Sequence, residues 1–214
     1  MSGRGTVPAN RLLPSWQRLA RRIRVPLGFV VAALYLFELW RHAPRPAAIA
    51  WSLALVIPGL WLRAYASGYV KKNRELTMTG PYAHTRNPLY LGSILIAGGF
   101  ALALLSWLVA VVLAVVFIVI YIPVIASEES FLRTAFPQFG EYCRNVPRLL
   151  PRLTPFRGGS LTDAAGGGVT RVSGSFSFAL YIRHREYNAA IGSLLLYLCL
   201  LFLRPLLQAI PGLR

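Results

Sequence analysis

The sequence predicts an all-α integral membrane protein of about five transmembrane helices, with its N-terminus in the cytoplasm. Three observations carry this. Of 214 residues, 56% are apolar and only 14% charged, where a soluble domain carries about 25% charged residues; mean hydropathy is +0.53. The apolar residues come in long runs, and a hydrocarbon core of about 30 Å takes about 20 residues of helix. The 23 Lys and Arg, against 7 Asp and Glu, gather in alternate gaps between those runs. A disordered chain, a collagen-like or coiled-coil fibre and an ordinary soluble enzyme are excluded.

Taken in order, the first apolar run is Val25 to Trp40. A cleaved signal peptide is the competing reading, but its basic leader would be unusually long, and retention as a helix is expected. The second run, Ala47 to Tyr69, is expected to be broken at Pro58-Gly59. Pro88 to Ala126 is too long for one span and fits two, with a tight turn near Leu105-Ser106. Gly92, Ser93, Ala97, Gly98 and Gly99 put small residues at near-helical spacing in the third span, which lets helices approach closely in lipid. Phe156 to Ser175 is rich in Gly and Ser and reads as a flexible loop. Phe176 to Asn188 reads either as an interfacial helix or as a solvated lead-in to the last span, Ala189 to Leu203, which Arg204-Pro205 is expected to end.

Basic residues favour the cytoplasmic side. The gaps before the first span, after the second and after the fourth hold eighteen of the 23. Arg41, Arg45, Arg204 and Arg214 fall on the other side, and Arg63 lies within the second span. The net charge of +16 therefore reads as membrane topology. No nucleic-acid recognition motif accompanies it, and nucleic acid is not expected as a partner. His42, His84, His184, Cys143 and Cys199 are scattered, with neither metal-ligand spacing nor a disulfide framework. No internal repeat suggests a transporter.

Polar clusters beside apolar spans are where function is expected. The first is Thr79 to Tyr90, TGPYAHTRNPLY. Gly80-Pro81 makes a turn and Pro88 opens the third span. Arg86 and Asn87 thus lie at a helix N-terminus, where free N–H groups favour an anion; a snorkelling interfacial loop is the plainer alternative. The second cluster is Glu128-Glu129 past the fourth span. Adjacent carboxylates there need compensating cations or ligands, and pairing with nearby Arg is the plainer alternative.

GPYAHTRNPLYLG, followed about forty residues on by EESFLRTAFPQFGEYCRNVPRLLP, resembles the isoprenylcysteine carboxyl methyltransferase and phospholipid methyltransferase superfamily. The likeness covers roughly Leu76 to Pro151, about a third of the chain. Two motifs in order with a helical hairpin between them make it specific. It implies a multi-pass enzyme of the bacterial inner membrane or an equivalent cytoplasm-facing membrane. S-adenosylmethionine would bind in a cytoplasmic pocket of the C-terminal half and leave as S-adenosylhomocysteine. It implies a pocket lined by Leu76, Thr77, Tyr82, His84, Arg86, Asn87, Pro88, Tyr90, Glu128, Glu129, Tyr142, Arg148 and Leu149. Glu128 would hold the cofactor ammonium, and Glu129 would share that role or act as base for an amine acceptor. Arg86 would hold the carboxylate, and tyrosine faces suit the sulfonium. Glu129 and Arg86 are the expected catalytic pair.

On this division residues 1–24 are a basic cytoplasmic segment and 25–69 the first two spans. Residues 70–155 are the methyltransferase core, 156–188 the loop and interfacial piece, and 189–214 an added span and tail. The expected acceptor is a lipid or lipid-modified molecule, presenting a carboxylate or an amine, that enters sideways from the membrane. The family His of its R-H-P motif is Asn87 here, which cannot take a proton near neutral pH. His84 either substitutes, if one helical turn brings it to the same face, or is an interfacial loop residue. An NADPH-dependent reductase of sterol-reductase type and a non-catalytic sensor or scaffold are the alternatives.

Overall fold

The computed structural model describes residues 15–70, 76–156 and 175–209. Among them the secondary structure is helical, without strands. Helices α1 (Ser15–Arg41), α2 (Pro46–Ser67), α3 (Pro88–Leu104), α4 (Trp107–Val116) and α5 (Ile122–Ala135) are followed by the short α6 (Phe139–Asn145) and α7 (Phe178–Arg183), then α8 (Tyr187–Ala209). Among the described residues two stretches are long and apolar enough to cross a membrane, Pro46–Ser67 and the rod Trp107–Ala135 formed by α4, α5 and the turn between them. Pro88–Leu104 and Tyr187–Leu203 are apolar but shorter. Phe29, Trp51, Ile57, Trp61, Trp107 and Ile118 stay exposed, the outward apolar surface that lipid would cover.

Several boundaries differ from the sequence reading. α1 is already helical at Ser15, ahead of the first apolar run at Val25. α2 is not broken at Pro58-Gly59 but continuous across both. Proline removes one intrahelical donor, and Gly59 is small for a different reason. A Cβ on Gly59 would lie 2.8 Å from the Gly92 carbonyl oxygen of α3, and one on Gly99 2.9 Å from the Ser52 carbonyl oxygen of α2. The small residues of α3 thus bring two backbones together. α8 likewise runs through Arg204-Pro205 to Ala209.

The α3–α4 turn falls where the sequence places it. Leu105 is left-handed, φ 50°, and Ser106 caps α4 by accepting from the Val109 amide. The Ser106 hydroxyl also donates to the buried Glu38 carboxylate of α1 at 2.9 Å, which pins the turn to the first helix. Tyr35, Leu39, Val56, Phe100, Val109 and Leu200 form the core between these helices.

One irregularity aims at the site. Phe117–Tyr121 is a π-helical turn that ends two residues before Pro123, which cannot donate to the carbonyl four residues back. The wider turn sets the Tyr121 ring edge-on to Tyr90, centroids 5.7 Å apart.

Candidate functional site

The loop after α2 is organised by the residues that follow α5. Leu76 and Met78 pack with Phe139, Tyr142 and Val146 in a small apolar cluster. Gly80 takes φ 60°, a left-handed turn that glycine adopts at no steric cost, and Gly80–Ala83 follows as one 3-10 turn. The Tyr142 hydroxyl donates to the Tyr82 carbonyl at 2.7 Å. Burial, above all, pushes the phenols of Tyr82 and Tyr142 upward in pKa.

Main-chain bonds then join the two motifs. The Arg86 amide donates to the Pro147 carbonyl at 2.9 Å, Arg152 to His84 at 2.9 Å, and Phe156 to Ala83 at 2.8 Å. The Thr85 hydroxyl reaches the carbonyls of Arg148 and Leu149. Asn87 Nδ2 donates to the Arg148 carbonyl at 3.0 Å, and His84 Nδ1 pairs with the Arg152 carbonyl at 2.8 Å. No helical turn links His84 to Asn87, so the sequence expectation that one would bring them to a common face is corrected. The 3-10 turn ends at Ala83 and α3 starts at Pro88. Each side chain instead holds a different carbonyl of the same 148–152 stretch.

Glu129 sits where the motifs meet. It is 7% exposed, and Arg148 grips it with two bonds, Nε to Oε1 at 3.1 Å and Nη2 to Oε2 at 2.6 Å. Arg86 Nη1 adds a third cation contact at 3.3 Å. The Glu129 hydrogen bond raises the pKa of the Arg148 guanidinium. Arg86 Nη1 also reaches Cys143 Sγ at 2.8 Å, while its buried Nε has no hydrogen-bond partner. Adjacent helical positions point about 100° apart, and Glu128 accordingly turns away. It is exposed and accepts from the Tyr90 hydroxyl at 3.0 Å.

Of the residues singled out from sequence, Tyr82, His84, Arg86, Asn87, Glu129, Tyr142, Arg148 and Leu149 come together in this junction. Tyr90 and Glu128 form a second pair beside it. Leu76 belongs to the apolar cluster, Thr77 donates to the Tyr69 carbonyl at 3.4 Å, and Pro88 is buried at the start of α3. Sequence reasoning passed over Thr85, Cys143, Tyr121 and Arg152. Thr85 carried a signal, since a hydroxyl inside a turn-rich motif bonds backbone readily; Cys143 carried none. It also missed the partner of Arg63. An arginine inside an apolar helix needs one, and Glu186 supplies it at 2.7 Å.

Residues 49–138 match the family model for phospholipid methyltransferases, within the integral membrane methyltransferase superfamily that also holds the isoprenylcysteine carboxyl enzymes. The match takes in the loop motif and both glutamates but stops before Arg148. Two curated relatives are similar. The cobalt-zinc-cadmium resistance protein CzcN of Cupriavidus metallidurans is 43% identical over 101 residues, 47% of this chain and 46% of that protein. The nickel-cobalt-cadmium resistance protein NccN of Alcaligenes xylosoxydans xylosoxydans is 40% identical over 98 residues, 46% and 45% respectively. The similarity thus spans about half of each relative's length. No solved structure matches the chain.

Proposed function

We propose that this chain, whose residues 49–138 match the phospholipid methyltransferases, is a multi-pass membrane methyltransferase. It uses S-adenosylmethionine to methylate a lipid or lipid-modified acceptor. The observation that carries the reading is the junction at Glu129, where the 76–90 loop and the 142–152 stretch meet around one buried carboxylate and two guanidiniums. Five spans with the N-terminus inside remain the topology of the proposal, and it sets this junction at the cytoplasmic face.

The residues present suit the cofactor. Its ammonium needs a carboxylate, and Glu128 is exposed with Tyr90 beside it. Its carboxylate needs donors, and Arg86 keeps a buried Nε without a partner. The aromatic faces of Tyr90 and Tyr121 suit a sulfonium. The cofactor supplies an activated methyl group. The chain supplies alignment of acceptor and methyl, an entropic advantage that accounts for much of the rate in such displacements. Leu150 and Leu153, exposed in the stretch that follows Arg148, favour a lipid acceptor. The relatives are named for resistance to cobalt, zinc, cadmium and nickel, and we take that setting as the one in which to seek the acceptor.

Calorimetric titration of the detergent-purified chain with S-adenosylhomocysteine tests the proposal. Saturable binding is expected, weakened about tenfold or more in Glu128→Gln, because a charge-assisted bond contributes about 1.5–3 kcal/mol. Absence of binding to folded protein overturns it. Asn87 gives a second test. Asn87→His keeps a ring N–H for the Arg148 carbonyl, so affinity within about threefold of wild type is expected. Asn87→Leu loses that bond, about 1 kcal/mol, and affinity should drop roughly fivefold. Equal losses in both variants would show that Asn87 acts through something other than this donor.

A further inference from the structure

Arg63 is the one charged side chain of α2, and its surroundings are built around it. A Cβ on Gly92 would lie 2.6 Å from Arg63 Cγ, so α3 leaves a gap through which the side chain passes. Nη1 donates to the Leu89 carbonyl at 3.3 Å and to the Ser93 hydroxyl. These contacts fix the guanidinium to α3. The other edge of the fork faces Glu186, and here the fit is incomplete. Nε and Nη2 both converge on a single oxygen, Oε2, at 3.0 and 2.7 Å. A guanidinium fork is best matched by two oxygens side by side, as a phosphate or carboxylate can offer.

Glu186 comes from a short connecting element, its side chain 13% exposed against 24% for Arg63. It sits in the turn between the six-residue α7 and α8, next to Arg185 at φ 53°. This element lies outside the 49–138 match. It meets the end of α2 through the Phe176 ring, which lies over Gly68 and against the rings of Tyr65 and Tyr69, the Ser177 amide on the Gly68 carbonyl at 2.9 Å, and His184 Nδ1 with the Ser67 carbonyl at 3.1 Å. The pair also borders the junction described above. Leu89, which Arg63 holds, adjoins Tyr90, which holds Glu128. The buried Tyr82 phenol, raised first by burial, also feels the negative charge of Glu128 and of Glu186.

We propose that Arg63 is the oxyanion-binding residue for the acceptor and that Glu186 is its displaceable counter-ion. An acceptor lipid bearing a phosphate or carboxylate takes the place of Glu186 on Arg63, and the α7–α8 turn moves aside to admit it. One anion replaces another, so the exchange leaves the guanidinium neutralised throughout and needs no proton. The assignment of this anion as the methyl acceptor rests on the methyltransferase reading; the anion site itself does not.

The test is calorimetric binding of dihexanoyl phosphatidate to the full chain in a neutral detergent. Glu186→Gln removes the competing charge, and binding about tenfold tighter than wild type is expected, a change of about 1.4 kcal/mol. Arg63→Gln should weaken it at least about tenfold. A gain of affinity cannot come from misfolding, so Glu186→Gln decides the matter: affinity equal to or weaker than wild type overturns the proposal. Glycerol 3-phosphate, which has the anion without the chains, is expected not to compete at equal concentration; equal competition would overturn the lipid source. Titration of the same wild-type preparation with S-adenosylhomocysteine reports separately. Failure there removes the methyltransferase reading and leaves the anion site standing. Saturation there without the Glu186→Gln gain removes only the role given to Arg63.

Discussion

Glu129→Ala is expected to lower the unfolding free energy by about 2–3 kcal/mol and to abolish measurable S-adenosylhomocysteine binding. The carboxylate is the common counter-ion of Arg86 and Arg148. Removing one partner of a buried ion pair costs about 3–5 kcal/mol, because the other charge is left uncompensated. Arg148 is partly solvated, its side chain 46% exposed, which brings the figure below that range, to about 2–3 kcal/mol. Arg86, at 14%, has little water to turn to. Glu129→Gln keeps the shape and one acceptor oxygen, so it should lie between. Denaturant unfolding in detergent and calorimetry measure the two effects. A Glu129→Ala chain with wild-type stability and wild-type binding would show that the two motifs are held by something other than this carboxylate.

Widening the contact between α2 and α3 is expected to be comparably costly, and less than additive. A Cβ on Gly59 meets the Gly92 carbonyl oxygen at 2.8 Å, and a Cβ on Gly92 meets the Gly59 carbonyl oxygen at 2.8 Å. Backbone cannot rotate away as a side-chain end can, so either substitution must move the helices apart. Overpacking of this kind costs about 1–3 kcal/mol. Gly92→Ala also presses on Arg63 Cγ and should be the worse of the two. Once the helices have separated, the second methyl meets less resistance, and the double variant should fall short of the sum by at least about 0.5 kcal/mol. Unfolding of both single variants and the double measures this; strict additivity would mean that the two glycines do not share one contact.

What could be read from the sequence follows the range of the interactions. The α3–α4 hairpin was legible because its signals are local: a long apolar run, then Ser106 as a cap. The glycines of α3 announced close packing, but not that Gly59 of α2 was the partner. Pro58-Gly59 therefore looked like a break, when in the structure the helix continues and the glycine makes the contact. Arg86, Glu129 and Arg148 were found through the two motifs. Their meeting was not spelled out in either, because main-chain bonds between residues more than sixty positions apart create it. Backbone donors carry no sequence signal. Arg63 showed that a partner must exist, yet only the fold could say that Glu186, 123 positions away, was the one.

The pairing of residues 83–86 with residues 147–156 has a consequence for how the site behaves in time. Arg86, Arg152 and Phe156 each give an amide proton across it, and the side chains of His84, Thr85 and Asn87 anchor to carbonyls on the facing stretch. Segments bound in this way open together as one cooperative unit rather than bond by bond. The loop cannot loosen while the 147–156 stretch stays in place. The junction is thus expected to open as one unit, with the amide protons of Arg86, Arg152 and Phe156 exchanging with solvent together.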